Sequence, residues 1–172
     1  MRPTPRPGTV RLVTPTVRAY VPADRAAVIA LSLRAWEPVF VSIRAAPAGS
    51  GVHEVLYADG REAAQRAAVA DACDSGPVWV AEADGVVAGF VALRLHADVR
   101  MGEIHMLAVD PAQQRRGLGA HLTAFALDRM REQGMATAMV ETGGDAGHAP
   151  ARATYEQGGF ALLPVARYFR VL

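Results

Sequence analysis

A chain of 172 residues with 51% hydrophobic and 20% charged residues has enough apolar mass for one packed core. Its formal charge of +1 gives no electrostatic case for a nucleic-acid partner, and its single cysteine, Cys73, excludes an internal disulfide and fits a reducing compartment. No signal peptide is evident and no apolar run approaches the roughly 20 residues of a membrane span, so the expectation is a cytoplasmic protein with no membrane partner.

Residues 1–14, rich in proline, arginine and threonine, read as a flexible leader, and residues 15–172 as a single domain. Val17 to Val21 predicts a short strand. Pro22-Ala23-Asp24 opens a helix with Ala27, Val28, Leu31 and Ala35 near helical spacing. Glu37 to Tyr57 interleaves Pro38, Pro47, Gly49 and Gly51 with Val39, Phe40, Ile43, Val52 and Leu56, and predicts a short helix and a mobile loop. Asp59 to Asp74 is alanine-rich and helical. Val78 to Ala83 and Val86 to Leu95 predict two strands joined by an Asp84-Gly85 hairpin turn, with a third strand over Met101 to Val109. Gly117 to Gln133 predicts a helix stopped by Gly134, and Met135 to Thr142 a strand. The loop Gly143 to Gly147 leads into a helix with Pro150 in its first turn, ended by Gly158-Gly159. Phe160 to Leu163 and Val165 to Val171 read as final strands. An antiparallel meander combined with βαβ crossovers predicts an α/β sandwich around one mixed sheet.

The most informative stretch is Gln113-Gln114-Arg115-Arg116-Gly117-Leu118-Gly119-Ala120. A strand, a basic glycine-containing loop and a helix N-terminus in that order make a pyrophosphate site, because free N–H groups and the positive helix end face the anion. A Walker loop needs Gly-Lys-Ser/Thr at the helix start, and Gly119-Ala120-His121 does not supply it. A dinucleotide fingerprint needs a small last residue, and Gly117-Leu118-Gly119-Ala120-His121-Leu122 ends in leucine.

Gln114-Arg115-Arg116-Gly117-Leu118-Gly119 does fit Gln/Arg-x-x-Gly-x-Gly/Ala, and it resembles the acyl-CoA loop of the GNAT superfamily of N-acetyltransferases. Leu107-Ala108-Val109-Asp110-Pro111 is similar to that family's L-x-V-x-P strand end, and Ala151 to Phe160 to its A-x-x-x-Y-x-x-x-G-F helix and strand. The resemblance covers about residues 17–171 and is strongest over 78–160. It departs from the family pattern at Arg115, where glycine is usual, and at His148, where asparagine is common. The implied fold is a GNAT-type α/β sandwich, with a mixed, mostly antiparallel central sheet of about seven strands flanked by about four helices.

The resemblance implies acetyl-CoA as cosubstrate and direct acetyl transfer to a primary amine in a ternary complex. The implied donor-binding residues are Leu107, Ala108, Val109, Gln114, Arg115, Arg116, Gly117, Leu118, Gly119, Ala120, His148 and Tyr155. Tyr155 matches the family tyrosine near the sulfur and is the candidate general acid. Glu103 is the first candidate for the base, His105 the second, and Glu82 and Glu141 are third choices; a water chain is the remaining alternative. Strand alternation puts Glu103, His105 and Leu107 on one face. Trp36, Phe40 and Tyr57 fall in the segment that lines the acceptor site in this family. The acceptor is a small-molecule or peptide amine, with no nucleic acid involved. Dimers are common in the family, and the C-terminal strands can pair between subunits. His53, His96, His121 and Cys73 lack partners at metal spacing, so no metal is expected. The competing class is a non-catalytic acyl-CoA-binding or sensing domain.

Overall fold

The structure, a computed structural model, describes residues 15–45 and 51–172; the expected leader, and Pro47 and Gly49 of the expected loop, lie outside these. Five strands run in chain order across one sheet: β1 (Thr16–Ala19), β2 (Val78–Ala83), β3 (Val86–His96), β4 (Met101–Val109) and β5 (Thr137–Val140). Neighbours are antiparallel except β4 and β5, which are parallel. The helices are α1 (Arg25–Ala45), α2 (Val52–Leu56), α3 (Arg61–Ser75), α4 (Leu118–Glu132) and α5 (Ala149–Gln157). The mixed α/β sandwich is therefore present.

Alternating strand residues feed two cores. Val28 and Leu31 of α1 and Val69, Ala72 and Cys73 of α3 pack on Val78, Val80, Phe90, Ala92 and Ala108. Leu118, Leu122, Ala126 and Met130 of α4 pack on Ala81, Ala88, Val91, Leu93, Ile104 and Val109 on the opposite face. Phe90, Leu31, Leu93 and Leu122 are fully buried, each contributing about 2 kcal/mol of apolar transfer. At Gly89, a Cβ would lie 2.9 Å from the Ala108 carbonyl and 3.1 Å from Leu122 Cδ1. Its lack of a side chain sets how closely α4 can approach the sheet. The Asp84-Gly85 turn has φ of 52° and 75°, the two positive values of the hairpin turn its sequence predicts.

Three expectations are corrected. The helix opened by Pro22 does not stop near Glu37 but continues through Pro38 to Ala45. Pro38 lacks an N–H to give the carbonyl one turn earlier, yet burial of Leu31 on one side and Val39 on the other carries the helix past it. With the turn before it, the 22-residue stretch Pro22–Ile43 contains an 18-residue window with a mean hydropathy of 1.5, enough by length and composition to cross a membrane; here its apolar face packs on the sheet and α3.

The sheet has five strands where about seven are expected. Phe160 to Leu163 and Val165 to Val171 pair with no described strand, and Leu162, Leu163, Val165 and Tyr168 are exposed. A strand exists through its ladder, and no described strand pairs with the outer edge of β5; Pro164 also removes a donor in mid-segment.

The third correction is in β4. Its register against β3 runs Ala92 to Met106 and then Leu93 to Ile104, leaving His105 as an extra residue. This bulge reverses the alternation. Ile104 faces the α4 core before it, whereas Leu107 and Val109 do so after it. Glu103 and Leu107 thus lie on opposite faces, because one inserted residue shifts a period of two by half.

Candidate active site

Pairing between β4 and β5 runs from Met101–Thr137 to Ile104–Val140 and then stops. Beyond it the strands separate. His105 to Val109 form one wall of a cleft of about 540 Å³, and Glu141 and Thr142 form the other. Ala35, Trp36 and Val39 of α1 and Ala151, Thr154 and Tyr155 of α5 close it. Of the three aromatics expected at the acceptor end, Trp36 is in the lining. Phe40 and Tyr57 instead pack around the Arg61 guanidinium, at 6.0 and 4.2 Å.

One end of the cleft is made of main chain. Asp110 turns the chain after β4 by accepting from the Ala112 N–H at 2.9 Å, and Arg34 of α1 holds its carboxylate at 2.5 Å. Burial pushes the Asp110 carboxyl up, but the Arg34 hydrogen bond and the Ala112 N–H outweigh it and hold it below the usual range. The Gln114 amide donates back to the Val109 carbonyl at 3.1 Å. Gly117, with φ of 82°, is the residue before α4, and His121 N–H to Gly117 carbonyl is the first helical bond. The N–H groups of Leu118, Gly119 and Ala120 therefore have no helical acceptor, and Gly117, Gly119 and Ala120 face the cleft. A Cβ on Gly117 would meet nothing within 4 Å, so this concave corner is open to a ligand. Free amides, a helix N-terminus and Arg115 fit the pyrophosphate of coenzyme A.

Arg115 has φ of 59°, in the left-handed region that glycine occupies freely. The backbone conformation explains why glycine is usual at this position. Arg116 does not join Arg115 in the cleft but donates to the Gln113 side chain at 3.1 Å. The Leu118 side chain is buried in the α4 core, which leaves only its N–H for a ligand.

The other end is made of side chains. Tyr155 is 8% exposed and stacks edge-on against Phe160 at 5.9 Å. Burial pushes its phenol up to about 12, so it keeps its proton at any ordinary pH. His105, on the bulge, lines the cleft, while Glu103 does not and stands behind it, with Oε1 3.4 Å from His105 Nδ1 and Oε2 3.1 Å from His96 Nε2. Burial pushes the Glu103 carboxyl up, but hydrogen bonds from the two imidazoles outweigh it and hold it below its ordinary value. Of the third choices, Glu82 does not line the cleft and pairs with Arg18 at 2.9 Å, and Glu141 is in its wall, paired with Arg167 of the tail.

His148 lines the cleft from the turn before α5, with Nδ1 2.5 Å from Asp145 Oδ2. Asp145 and its partner Ser42 are absent from the sequence-based candidates. An Asp-x-Gly-His run just before a helix is the signal that could have drawn attention to Asp145; nothing in the sequence links it to Ser42, 103 positions away. Among the described residues no group of His, Cys, Asp and Glu side chains is arranged to hold a metal.

Residues 46–160 match the model of the Acetyltransferase (GNAT) family. The chain is 42% identical over 97 residues to a mycothiol acetyltransferase of Sanguibacter keddieii, an alignment covering 54% of this chain and 30% of that one. It is 39% identical over 87 residues to the mycothiol acetyltransferase of Streptomyces coelicolor, covering 51% and 28%. The chain thus matches less than a third of the length of these relatives. The crystal structure of a putative GNAT-family acetyltransferase from Desulfovibrio desulfuricans has the same fold, with a TM-score of 0.67 at 21% identity over 91% of this chain and 92% of that one.

Proposed function

The chain belongs to the acetyltransferase (GNAT) family, whose donor is acetyl-CoA, and from that premise we propose that it acetylates a primary amine by direct attack in a ternary complex. One observation carries the reading. A single cleft joins the open amides at the start of α4 to Tyr155, His105 and His148. Pyrophosphate-binding and proton-handling groups are thus joined in one space, as transfer between two bound molecules requires.

The donor supplies a thioester whose carbonyl carbon accepts an amine and whose sulfur leaves. The amides of Leu118, Gly119 and Ala120, with Arg115, hold its pyrophosphate. Main-chain groups of Leu107, Ala108 and Val109, which β5 no longer reaches, pair with the amides of its arm, and an N–H there polarises the carbonyl. Gln114 supports this wall through Val109, and Arg116 contributes charge from the rim. His148 borders the end of the arm. Tyr155 gives its hydroxyl hydrogen to the departing sulfur. Its high pKa keeps that hydrogen in place across the working range. Glu103 acts through His105: the carboxylate orients the ring, and the ring accepts a proton from the amine.

The acceptor is a small-molecule or peptide amine. Thermal stabilisation by acetyl-CoA but not by NAD, ATP or DNA tests the donor. Coenzyme A release that depends on one member of an amine panel tests the transfer. Binding without amine-dependent release would instead identify an acyl-CoA-binding or sensing domain.

A further inference from the structure

Two imidazoles line the cleft, each backed by a carboxylate, but their supports differ. Glu103 is divided between His105 at 3.4 Å and His96 at 3.1 Å. Asp145 has one imidazole, His148, at 2.5 Å, and is fixed from several sides. The Gly147 N–H donates to it at 2.9 Å, and the Ser42 hydroxyl of α1 donates to the same carboxylate. Arg152 of α5 clamps the loop through the carbonyls of Gly143 at 2.5 Å and Asp145 at 2.8 Å. Two glycines make the fit possible. A Cβ on Gly143 would lie 2.5 Å from His148 Nδ1, and one on Gly147 would lie 2.9 Å from Val39 Cα.

An ionised carboxylate against Nδ1 places the ring hydrogen on that nitrogen. Burial pushes Asp145 up, but the Ser42, His148 and Gly147 hydrogen bonds outweigh it and bring it down to about 2, so the carboxylate is ionised at neutral pH. In the neutral ring the lone pair is then on Nε2, on the ring edge opposite Asp145, where no described hydrogen bond occupies it.

Resting on the acetyl-transfer reading above, we propose that His148 Nε2 accepts a proton from the acceptor nitrogen as the C–N bond forms, with Asp145 as the positioning residue. The balance requires two proton acceptances. An ammonium acceptor loses two protons on its way to the amide, while the C–S bond breaks and the sulfur gains one. His105 takes the first and releases it to solvent on the side of Glu103 and His96. The second, taken by His148, is released to solvent, and Tyr155 regains from solvent the hydrogen it gives to sulfur, so one proton is released per turnover.

The test uses the full chain and the amine that gives the largest coenzyme A release. His148→Asn keeps a hydrogen-bonding amide, of the kind common at this position in the family, but removes the base. Its kcat is expected to fall about 100-fold, with the acetyl-CoA dissociation constant within twofold of wild type. In His148→Ala, added imidazole is expected to restore part of the lost kcat. Nitrogen-15 NMR of the wild type is expected to show His148 protonated at Nδ1 and not at Nε2, a preference weakened in Asp145→Asn. A His148→Asn kcat within threefold of wild type overturns the proposal, as does a loss confined to acetyl-CoA affinity, which would make His148 a holder of the donor's arm. An Nε2-protonated ring also overturns it. A wild type that releases no coenzyme A with any amine overturns the acetyl-transfer reading together with this one; an active wild type with an unaffected variant overturns this one alone.

Discussion

The two ends of the cleft are built from different materials. The end proposed for the donor consists of neighbouring residues that present their main chain: a turn at Asp110, glycine at Gly117, and free amides at the start of α4. The end proposed for proton transfer consists of side chains from distant elements: His105 on a bulge in β4, His148 and Tyr155 at either end of α5, and Ser42 on α1. Main-chain binding tolerates most side-chain changes and fails when the backbone path is blocked. Side-chain chemistry behaves the other way, so substitutions at the two ends should separate affinity from turnover.

The largest expected effect is at the donor end. Gly117→Trp places an indole in the open corner and forces a bulky residue to φ of 82°. Calorimetry should find acetyl-CoA affinity reduced more than ~100-fold, about 2.7 kcal/mol or beyond, with the circular dichroism spectrum unchanged. Normal binding by this variant would remove the loop from the donor site. Tyr155→Phe should do the opposite, lowering kcat about 100-fold with acetyl-CoA affinity within twofold. Because the phenol titrates only at about 12, wild-type kcat should show no limb from Tyr155 between pH 6 and about 10.

Asp145→Asn should lower stability in addition to loosening the hold on His148. The carboxyl drops from 3.8 unfolded to about 2 folded. A depressed folded pKa contributes stability above the unfolded value and loses it as the pH falls through the folded one. Denaturant titration should therefore find the variant about 2 kcal/mol less stable at pH 7, with the gap closing between about pH 4 and pH 2. A gap that persists at pH 2 would point to packing in place of charge. Glu103→Gln, acting through His105, should lower kcat/KM about tenfold and leave acetyl-CoA affinity alone; a change in affinity instead would move Glu103 to the donor end. Arg115→Gly has the smallest expected effect. It relieves a left-handed backbone, so thermal unfolding should show up to about 1 kcal/mol more stability, while acetyl-CoA affinity falls a few-fold and becomes less sensitive to salt.

The same division decides what could be read from the residues alone. The strand, turn, glycine loop and helix from Met101 to Gln133 are encoded by adjacent residues, and they form close to where the pattern puts them. The strand signals over Phe160 to Leu163 and Val165 to Val171 are just as local, but a run of strand-forming residues specifies no partner, and no described strand pairs with either. Pro38 is a local stop signal that distant packing overrides. His105 illustrates the limit most clearly. Alternation predicts its face from its neighbours, but a one-residue register shift against β3 puts Glu103 behind it and outside the cleft.

By itself, then, the sequence determined the family, the sandwich and the turn, glycine loop and helix start proposed to hold the donor's pyrophosphate, because each depends on short-range order: periodicity, turn chemistry, and glycines next to a helix start. Only the tertiary structure decided which ionisable groups share the cleft. The bulge at His105, the end of pairing at Ile104 and Val140, and the seating of Asp145 against Ser42 all arise where elements far apart in the chain meet. Those meetings are fixed by packing against two cores, a long-range balance that no local spacing of residues encodes.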